Sequence, residues 1–530
     1  PGVVVRVFER GFNAITALYA RTLDAALHWR RLVLGVGIAT FVATGVMFAT
    51  IPKGFFPQED IGQIRASTEA SEDTSFPAMV KLQDQVAQIV QDDPNVLTVN
   101  SVTGGGGAQN TGRLFINLKD RGERAPMPEV IAGLREKLAG VAGITVYLNP
   151  EQNLRLGGRR TNSQYQFILQ SVRADELNDW AAKLAAKLAA DPRFRDVSSD
   201  SQLKGLQAQL RIDRDKANAL GVDIATVRNA LYSAFGERQV STIYTSADNY
   251  PVIMELAPEA KRDESAFNGV YVRSNSGALV QLSSFATVER TVGPTSVNHV
   301  GQLQAVTVSF NLGAGVPLGE ATAQVEEYGR EIGLPASVIT SYGGDAAVFQ
   351  SSQTSQVVLI VGALLVIYVL LGVLYESYIH PITILAGLPS AAVGALLMLE
   401  LLGQDLTLIA TIGILLLIGI VKKNAIMMID FALDAQRTQG IAPAAAIREA
   451  CLRRFRPIMM TTLAALMGAL PIAMGLGAGA ELRQPLGLAV VGGLIFSQAI
   501  TLYITPVIYL YLDRYSGKGP ITRPVAAESA

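Results

Sequence analysis

Two adjacent lysines, Lys422 and Lys423, lie well inside an apolar run that is long enough to cross a lipid bilayer. The run covers residues 411–433 and reads TIGILLLIGIVKKNAIMMIDFAL. An ammonium group near the middle of a membrane helix costs roughly 2.5 to 3.5 kcal/mol, so it normally faces a partner or a water-filled path. Either lysine could instead extend towards the helix end, where Asp430 would neutralise it. Neighbouring residues point about 100° apart, so only one lysine can face a given partner.

A second set of polar residues opens the next apolar run, in the sequence RRFRPIMMTT. Thr461 follows Arg454 by seven residues, which places both on one helix face, two turns apart. Arginines at a helix entrance are by themselves only the usual signal of the cytoplasmic side. Together with a lysine on the neighbouring helix, they indicate a polar pathway for protons.

Such a pathway lacks an acidic group in this sequence. No acidic residue lies deep within an apolar run, and Asp405, Asp430, Glu376 and Glu481 are near the ends of the runs. A lysine, whose ordinary pKa is about 10.4, changes charge readily only when a carboxylate or burial sets its balance. The carboxylate is therefore expected from outside this chain. This predicts that the chain is one half of a larger functional unit.

The composition fits a membrane protein with a large aqueous part. Of 530 residues, 49% are hydrophobic and 17% are charged, and the formal net charge is −1. A nearly neutral chain is not expected to bind nucleic acid, which requires a concentrated basic surface. A single cysteine and three widely separated histidines argue against a metal site. Pro1 is not an initiator Met and no signal peptide follows it, so we do not expect Pro1 to be the natural start.

Residues 3–29 are predicted to form an amphipathic helix, with apolar residues at spacings of three and four. Its apolar face could pack on neighbouring protein or lie in the membrane interface. The apolar run that follows, residues 32–51, is long enough to span a bilayer. His28, Trp29 and two arginines precede this run, which indicates that it begins in the cytoplasm.

No spanning run occurs between residues 52 and 353, where the pattern predicts a large α+β region of at least two domains. The first part of this region has the split βαβ order of strand, helix, strand, strand, helix, strand. Its predicted elements are residues 61–69, 77–91, 96–103, 113–119, 128–138 and 144–148.

The same order recurs, but an insertion at residues 206–294 interrupts it. The predicted elements of this second unit are residues 164–171, 174–190, 194–199, 304–311, 318–332 and 337–342. Within the insertion, residues 223–235 predict a helix and residues 239–256 predict a hairpin. The hairpin turn is expected at Ser246, Ala247, Asp248 and Asn249. Two copies of one unit with an insertion favour one part that moves and one that docks.

Five further apolar runs follow, at residues 357–374, 382–402, 406–431, 458–476 and 486–510. With the first run they predict a polytopic α-helical membrane protein with six transmembrane helices and a large extramembrane α+β domain. Basic residues are concentrated between runs 406–431 and 458–476 and after run 486–510. The loops expected on the other side of the membrane, residues 403–405 and 477–484, carry only Arg483. Both termini are therefore expected in the cytoplasm, with the large domain on the other side.

Five motifs of this chain closely resemble those of proton-driven efflux pumps of the resistance, nodulation and division (RND) superfamily. In chain order they are IPKGFFPQEDIG, LYESYIHPITIL, GILLLIGIVKKNAIMMIDFA, RRFRPIMMTTLAALMGALP and GAELRQPLGLAVVGG. The similarity is nearest to the heteromeric multidrug subfamily typified by MdtB and MdtC, and it covers the chain apart from its C-terminal tail.

The resemblance implies that this chain is the second half of a permease with twelve spans and a periplasmic α+β region. It divides the chain into a cytoplasmic amphipathic helix (1–31), a transmembrane helix (32–51), a first porter subdomain (52–160), the first part of a second (161–205), a docking subdomain (206–294), the rest of the second porter subdomain (295–353), five transmembrane helices (354–512) and a cytoplasmic tail (513–530).

Lys423, Arg454 and Thr461 match the second-half positions of this family's proton relay. Their partners in the family are two aspartates on the fourth span, which belong to the first half. The choice of Lys423 over Lys422 rests on this resemblance. Protonation of the aspartates would release the lysine and drive a cycle of access, binding and extrusion.

The resemblance also implies where the chain works and with what. It predicts a protein of the inner membrane of a Gram-negative bacterium, embedded in the lipid bilayer and driven by the proton gradient without a cofactor. The implied partners are the first half with its relay aspartates, further permease subunits in a homotrimer or heterotrimer, a periplasmic adaptor protein and an outer-membrane channel.

Residues 103–112, TGGGGAQNTG, match the switch loop that this family places between its entry and deep binding pockets. The four glycines, Gly104, Gly105, Gly106 and Gly107, favour a mobile loop, although a polar hairpin turn explains them equally well. Relatives that accept bulky aromatic drugs carry phenylalanines here. The substrate pocket predicted in this chain is less aromatic and contains Leu97, Val99, Val102 and Phe115. We therefore expect a different range of amphiphilic substrates.

Other functions stay open at this point. A lipid-carrying or export-type relative would keep the same spans and relay. A non-transporting partner subunit, or an inactive fragment that lacks the relay aspartates, would tolerate the loss of Lys423. An enzyme is not expected, because no recognisable catalytic motif occurs and GGGGAQNTG lacks the lysine of a phosphate-binding loop.

Overall fold

The computed structural model describes residues 3–104, 108–154, 157–261, 263–477 and 479–515. The chain begins with helices α1 (Val3–His28) and α2 (Arg30–Thr50), which belong to a bundle of long helices. It then forms a large α+β region and returns to the bundle at Gly344.

The first unit of the α+β region is an antiparallel four-stranded sheet with two helices on one face. Its elements are β1 (Gln63–Ala70), α3 (Phe76–Gln91), β2 (Val96–Thr103), β3 (Thr111–Leu118), α4 (Met127–Leu138) and β4 (Ile144–Pro150). The strand order is β2-β3-β1-β4. Buried residues alternate with exposed or half-buried ones along β1 and β3, because only one face of the sheet packs on the helices. The elements follow one another in the predicted split βαβ order.

The second unit starts with three elements and is then interrupted by the insertion. These elements are β5 (Tyr165–Ser171), α5 (Ala174–Ala190) and β6 (Phe194–Ser199). The insertion contains β7 (Gly205–Ile212), α6 (Arg214–Ala219), α7 (Ile224–Phe235), β8 (Arg238–Tyr244), β9 (Asn249–Met254), β10 (Tyr271–Arg273), β11 (Leu279–Gln281) and β12 (Ala286–Gly293). Strands β7 and β12 pair from Gly205–Gly293 to Ile212–Ala286, so the chain leaves the insertion where it entered.

After the insertion, the chain completes the second unit. The elements are β13 (His299–Val300), β14 (Leu303–Leu312), α8 (Leu318–Glu331) and β15 (Ile339–Gly343). Strand β14 lies between β5 and β6, and β15 lies on the other side of β5, so this sheet repeats the strand order of the first unit. Helices α5 and α8 bury their apolar faces against this sheet, around Leu184 and Val325.

The membrane-type helices follow β15. They are α9 (Gly344–Tyr375), α10 (His380–Leu385), α11 (Leu388–Leu401), α12 (Leu408–Gln439), α13 (Pro443–Ala473) and α14 (Ala480–Leu512). Within the described part of the chain, six helical segments are long and apolar enough to cross a membrane, with α10 and α11 counted as one. Helix α14 lies at the centre of the bundle and contacts α11, α12 and α13 along much of its length.

Small residues bring α14 and α11 into close contact. A Cβ atom added at Gly492 would lie 2.5 Å from the carbonyl oxygen of Gly394, and one added at Gly394 would lie 2.5 Å from the carbonyl oxygen of Gly492. Helices in lipid associate through such close packing, because lipid tails are as apolar as the helix surfaces. The two glycines therefore fix where α11 crosses α14.

Several helices extend beyond the apolar runs from which they were predicted. Helix α9 begins at Gly344 instead of residue 357, and α13 begins at Pro443 instead of residue 458. Hydropathy detects only the part of a helix that lies in hydrocarbon, whereas backbone hydrogen bonds continue into the polar segment beside it. The predicted run 382–402 is interrupted at Ala386 and Gly387, just before Pro389.

Helix α1 combines both expected uses of its apolar residues. On one side Tyr19 stacks on Phe455 of α13, with ring centroids 4.5 Å apart, and its hydroxyl donates to the carbonyl oxygen of Leu502 at 3.0 Å. On another side Ile15 and Leu18 are 51% and 62% exposed. One face of α1 therefore packs on the bundle, and a second apolar face is open to the surroundings.

A cluster of charged side chains around Asp60 joins the α+β region to the bundle. The Arg124 guanidinium, whose side chain is 1% exposed, donates to Oδ1 of Asp60 at 2.5 Å. Arg121 donates to the Asp60 carbonyl oxygen and, at 2.7 Å, to Oε1 of Glu481 at the start of α14. Burial would raise the pKa of Asp60, but the hydrogen bonds from Arg124 and the Gly62 N–H, with the nearby positive charges, hold that pKa below its ordinary value.

Replacement of Arg124 by Leu is expected to destabilise the first sheet by about 1.5 to 3 kcal/mol, because a buried charge-assisted hydrogen bond is lost. A depressed carboxyl pKa gives stability above the ordinary pKa of about 3.9, and that stability disappears as the pH falls towards the folded value. The difference in stability of the first sheet between the wild type and the variant should therefore shrink below about pH 4. Amide hydrogen exchange of β1 in the purified protein measures this stability, with Arg113→Leu on the exposed face of the same sheet as the control. Equal exchange at neutral pH would contradict the prediction.

Candidate functional site

Lys423 lies on the surface of the bundle, although its helix is apolar. Its side chain is exposed, and within the described ranges it forms no hydrogen bond or ion pair. The preceding residue, Lys422, is half-buried, whereas Asn424 is buried and faces the interior. Asp430 forms no ion pair with either lysine in this part of the chain, so the neutralisation expected of a lysine that extends to the helix end is not observed.

Arg454 and Thr461 lie on the next helix, α13. The Arg454 guanidinium is 5.4 Å from the ring centroid of Phe431, which belongs to the helix of Lys423. Its Nε is buried without an acceptor among the described residues. Thr461 is exposed, and its hydroxyl donates to the carbonyl oxygen of Ile458 at 3.1 Å. Neither residue meets a carboxylate in the described structure.

A buried polar cluster of Asn424, Thr462 and Gln498 fixes how α12 and α13 are rotated. The Asn424 amide donates to the Thr462 hydroxyl at 3.1 Å and to Oε1 of Gln498 at 3.3 Å. The Thr462 hydroxyl donates to the same Gln498 oxygen at 2.8 Å. Gln498 belongs to α14, so three helices meet at this cluster. In hydrocarbon such hydrogen bonds have no competing water.

The cluster also determines where the predicted relay residues point. Lys423 and Thr461 each precede a cluster residue by one position, so each side chain is rotated by about 100° from the buried direction. Helices α12 and α13 are antiparallel neighbours. A step of one residue back along each helix therefore turns both side chains towards the same side of the helix pair. Arg454 lies on the same face of α13 as Thr461, two turns away. The three residues therefore form one outward face, which we call the relay face.

The relay face can hold a negative charge. It offers an ammonium, a guanidinium and a hydroxyl, all of which can donate hydrogen bonds to a carboxylate. Its position on the outside of the bundle leaves it accessible to another helix. Within the described residues, no carboxylate pairs with Lys423 or Arg454.

The residues of the predicted substrate pocket do not all lie together. Val102 and Phe115, 43% and 44% exposed, share the sheet face that points away from α3 and α4. Val99 pairs with Ile116 on the opposite face and packs in the core of the first unit. Leu97 lies at an irregularity of the strand between Val96 and Thr98 and is 59% exposed. Strand alternation separates Val99 from Val102 and Phe115.

The glycine-rich loop connects β2 to β3. Gly104 has a positive φ of 73°, and its N–H donates to the carbonyl oxygen of Thr111 at 2.7 Å, which closes the end of the hairpin. Gly105, Gly106 and Gly107, the other three residues of the predicted switch loop, lie outside the described residues. A hairpin connection and a mobile loop are both compatible with this geometry, so the switch function stays a prediction.

The hairpin predicted in the insertion is formed by β8 and β9. Its turn begins one residue earlier than expected, because the Thr245 N–H donates to the carbonyl oxygen of Asp248 at 3.0 Å and Asn249 already pairs with Tyr244. Ser246, Ala247 and Asp248 therefore form the turn with Thr245, and Asn249 belongs to β9. All of these residues are exposed, so the tip is available for contact with another protein.

Sequence reasoning missed the buried cluster of Asn424, Thr462 and Gln498. The sequence contained a feature that could have predicted this cluster. Gln498 is an amide in the middle of an apolar run, and polar groups inside a membrane span need partners. Among the described residues, no group of three or more His, Cys, Asp or Glu side chains is arranged to hold a metal ion.

Long apolar helices, with an α+β region between the first and second of them in the described part of the chain, are the features of a polytopic membrane protein. The chain belongs to the AcrB/AcrD/AcrF family, whose sequence profile matches residues 2–513. The expected membership of the RND superfamily of efflux transporters is thereby confirmed.

Two curated relatives of this chain are similar over almost its whole length. Both are multidrug resistance proteins MdtC, one from Serratia proteamaculans (strain 568) and one from Enterobacter sp. (strain 638). Each is 48% identical, over 97% and 96% of this chain respectively. The matched region is 50% of each relative, so the chain spans about half the length of the curated relatives it matches.

The fold is shared with solved structures. Two crystal forms of a heavy metal efflux pump superpose on 95% of this chain, with TM-scores of 0.83 and 0.81 at 22% sequence identity. The superposed part is 53% and 52% of the pump chain, respectively. At this identity the likeness concerns the fold alone.

Proposed function

We propose that this chain is the second half of a proton-driven efflux permease that exports amphiphilic small molecules in exchange for protons. The observation that carries the proposal is the relay face, on which Lys423 and Arg454 meet no carboxylate within the described residues. A cation on a membrane helix needs a partner. The region matched in each curated relative is 50% of its length, and we place the partner in the other half.

The partner is the first half of the permease, which supplies two aspartates to the relay face. Charged aspartates hold the Lys423 ammonium, and their protonation ends that attraction. Helices α12 and α13 then shift together, because the Asn424–Thr462 hydrogen bond links them. A helix pair with two positions, biased by charge, is a two-state element of the kind that ion-driven transport requires.

Three contacts support transmission of this shift to the α+β region. Strand β15 continues into α9 without a connecting loop. The Leu406 N–H, just before α12, donates to the carbonyl oxygen of Pro52 at 2.8 Å. Arg121 pairs with Glu481 at 2.7 Å at the start of α14. Each contact lies at a helix end, so displacement of a helix would move the region attached to it.

The α+β region then takes the roles of porter and docking domains. Residues 52–160 form the first porter subdomain, residues 161–205 and 295–353 the second, and residues 206–294 the docking subdomain. The exposed face around Val102 and Phe115 contributes to the substrate pocket, beside the loop at residues 104–107. The exposed hairpin tip at residues 245–248 faces an outer-membrane channel.

The proposed setting follows from the same roles. The chain works in the inner membrane of a Gram-negative bacterium, with six spans, both termini in the cytoplasm and the α+β region in the periplasm. It assembles as a homotrimer or heterotrimer with a periplasmic adaptor protein and an outer-membrane channel. The proton gradient, without a cofactor, supplies the energy.

Production of this chain together with its first half, in a Gram-negative strain without its own pumps, is expected to lower the accumulation of a fluorescent amphiphile several-fold. A protonophore should restore accumulation, because it removes the gradient that drives transport. Either half alone should have no effect.

Two outcomes would contradict this proposal. Efflux that persists in the protonophore would exclude proton exchange as the energy source. Assembly with the first half without any efflux would favour a non-transporting partner subunit, and a change in membrane lipids instead of drug accumulation would favour a lipid-exporting relative.

A further inference from the structure

A cavity of about 450 Å³ lies between α1, α13 and α14, along the middle part of the last two helices. Most of its walls are apolar side chains: Ile15, Leu18, Leu463, Leu466, Leu494 and Ile495. Leu18, Leu463 and Ile495 are also exposed, so the cavity opens sideways from the bundle. In a bilayer this opening faces lipid, not water.

The cavity lies on the side of α13 opposite to the relay face. With about 100° per residue, Leu463 is rotated by about 200° from Thr461, and Leu466 by about 140°. Arg454 lies within about 20° of Thr461. A first half that docks on the relay face therefore leaves the cavity open to the membrane.

The polar side chains that line the cavity already have hydrogen-bond partners, so an occupant need not supply any. Thr462 and Gln498 line it, but both are engaged in the buried cluster with Asn424. At another part of the lining, the hydroxyls of Thr22 and Tyr503 are 2.9 Å apart and bond to each other. An apolar chain can fill this space without leaving a polar group unsatisfied.

A cation without a carboxylate partner stands beside the cavity. Phe455 lines the cavity, and the guanidinium of the next residue, Arg456, lies 5.5 Å from the ring centroid of Phe12 on α1. Arg456 is exposed and forms no ion pair within the described ranges. Two other arginines of α13 do have acidic partners, since Arg448 pairs with Asp24 and Arg453 with Glu449. Arg456 is thus available to an external anion.

We propose that this cavity binds an acyl chain of one anionic phospholipid, whose phosphate pairs with Arg456. An apolar cavity open to the bilayer is filled by hydrocarbon, and a free guanidinium at the level of the interface selects an anionic headgroup. The site rests on the membrane placement of the chain and on the docking of any first half at the relay face, but not on proton transport. It would place a lipid chain against Gln498, one hydrogen bond from the helix that carries Lys423.

Photo-crosslinking in native membrane vesicles tests the site. Vesicles that contain the chain with its natural partners are supplied with phosphatidylglycerol or phosphatidylcholine that carries a diazirine on one acyl chain, and the labelled peptides are mapped by mass spectrometry. Phosphatidylglycerol should label residues 459–466 and 494–499 more strongly than phosphatidylcholine does. Arg456→Gln should reduce this preference about fivefold, the effect of one interfacial cation.

Filling the cavity provides the second arm. Leu463→Trp should reduce labelling of both segments about tenfold, whereas Met467→Trp, on the same helix but outside the cavity, should not. Labelling that is unchanged in Leu463→Trp, or that is equal for the two lipids and insensitive to Arg456→Gln, would overturn the proposal. Crosslinks from this cavity to a peptide of another protein would overturn it as well, since the occupant would then be a protein helix. Proton-driven efflux is measured separately, so failure of the lipid site and failure of the transport function are distinguishable.

Discussion

Replacement of Lys423 by Ala is expected to abolish proton-driven efflux while the chain remains folded and assembled. Lys423 is exposed and makes no hydrogen bond or ion pair in the part of the chain described here, so its removal takes no packing from the bundle. Under the proposed function, it is the counter-charge of the aspartates that the first half supplies. Loss of one member of a buried ion pair costs about 3 kcal/mol or more, which predicts a transport rate roughly a hundredfold lower.

Efflux of a fluorescent amphiphile from cells that also contain the first half measures this effect, with the amount of protein determined by immunoblot. Lys422→Ala is the matched control, because Lys422 is adjacent and half-buried but points about 100° away from the relay face. Lys423→Arg should retain part of the activity, since it keeps the charge but changes its reach. Wild-type efflux in Lys423→Ala would exclude Lys423 from the proton relay.

Replacement of Gly492 by Val is expected to prevent correct folding of the bundle. A Cβ at this position would lie 2.4 Å from the Cβ of Met398 and 2.5 Å from the carbonyl oxygen of Gly394. The side chain of Met398 could move, but the backbone oxygen can move only if α11 separates from α14. Overpacking of this kind costs about 3 kcal/mol, and separation of two central helices costs more.

The amount of monodisperse protein after detergent extraction and heating measures this loss. Gly362→Val in α9 is the control, because it makes the same substitution within an apolar helix but has no atom within 4 Å of the added Cβ. The two variants share the change in helix propensity, so a difference between them reports the close crossing. Equal survival of the two variants would contradict the packing of α11 on α14.

The sequence predicted the fold well where one physical rule acts locally. Apolar runs long enough for a bilayer identify the membrane helices, since no other structure satisfies the backbone in hydrocarbon. Strand and helix periods identified the elements of both units, and the interruption of the second was visible as a broken repeat. The bounds were less accurate, as α9 and α13 show, because hydropathy ends where a helix leaves the hydrocarbon but the helix does not.

Side-chain direction was the main quantity that the sequence left open. Val99 and Val102 are both near the glycine loop in the sequence, but they are three positions apart in β2, so strand alternation puts them on opposite faces. The turn of the β8–β9 hairpin began one residue earlier than expected, because a single backbone hydrogen bond from Thr245 sets its register. Such differences arise from contacts that local propensity does not encode.

The sequence by itself determined that a cation lies within an apolar run, that an arginine and a threonine share a face of the next helix, and that no acidic residue lies deep within an apolar run. These conclusions need only residue types and a helical period. Only the tertiary structure decided which way the faces turn. The buried bonds among Asn424, Thr462 and Gln498 hold two antiparallel helices so that Lys423 and Thr461 point outwards together. Three distant segments make these bonds, so the direction of the relay face follows from packing and not from any one stretch of sequence.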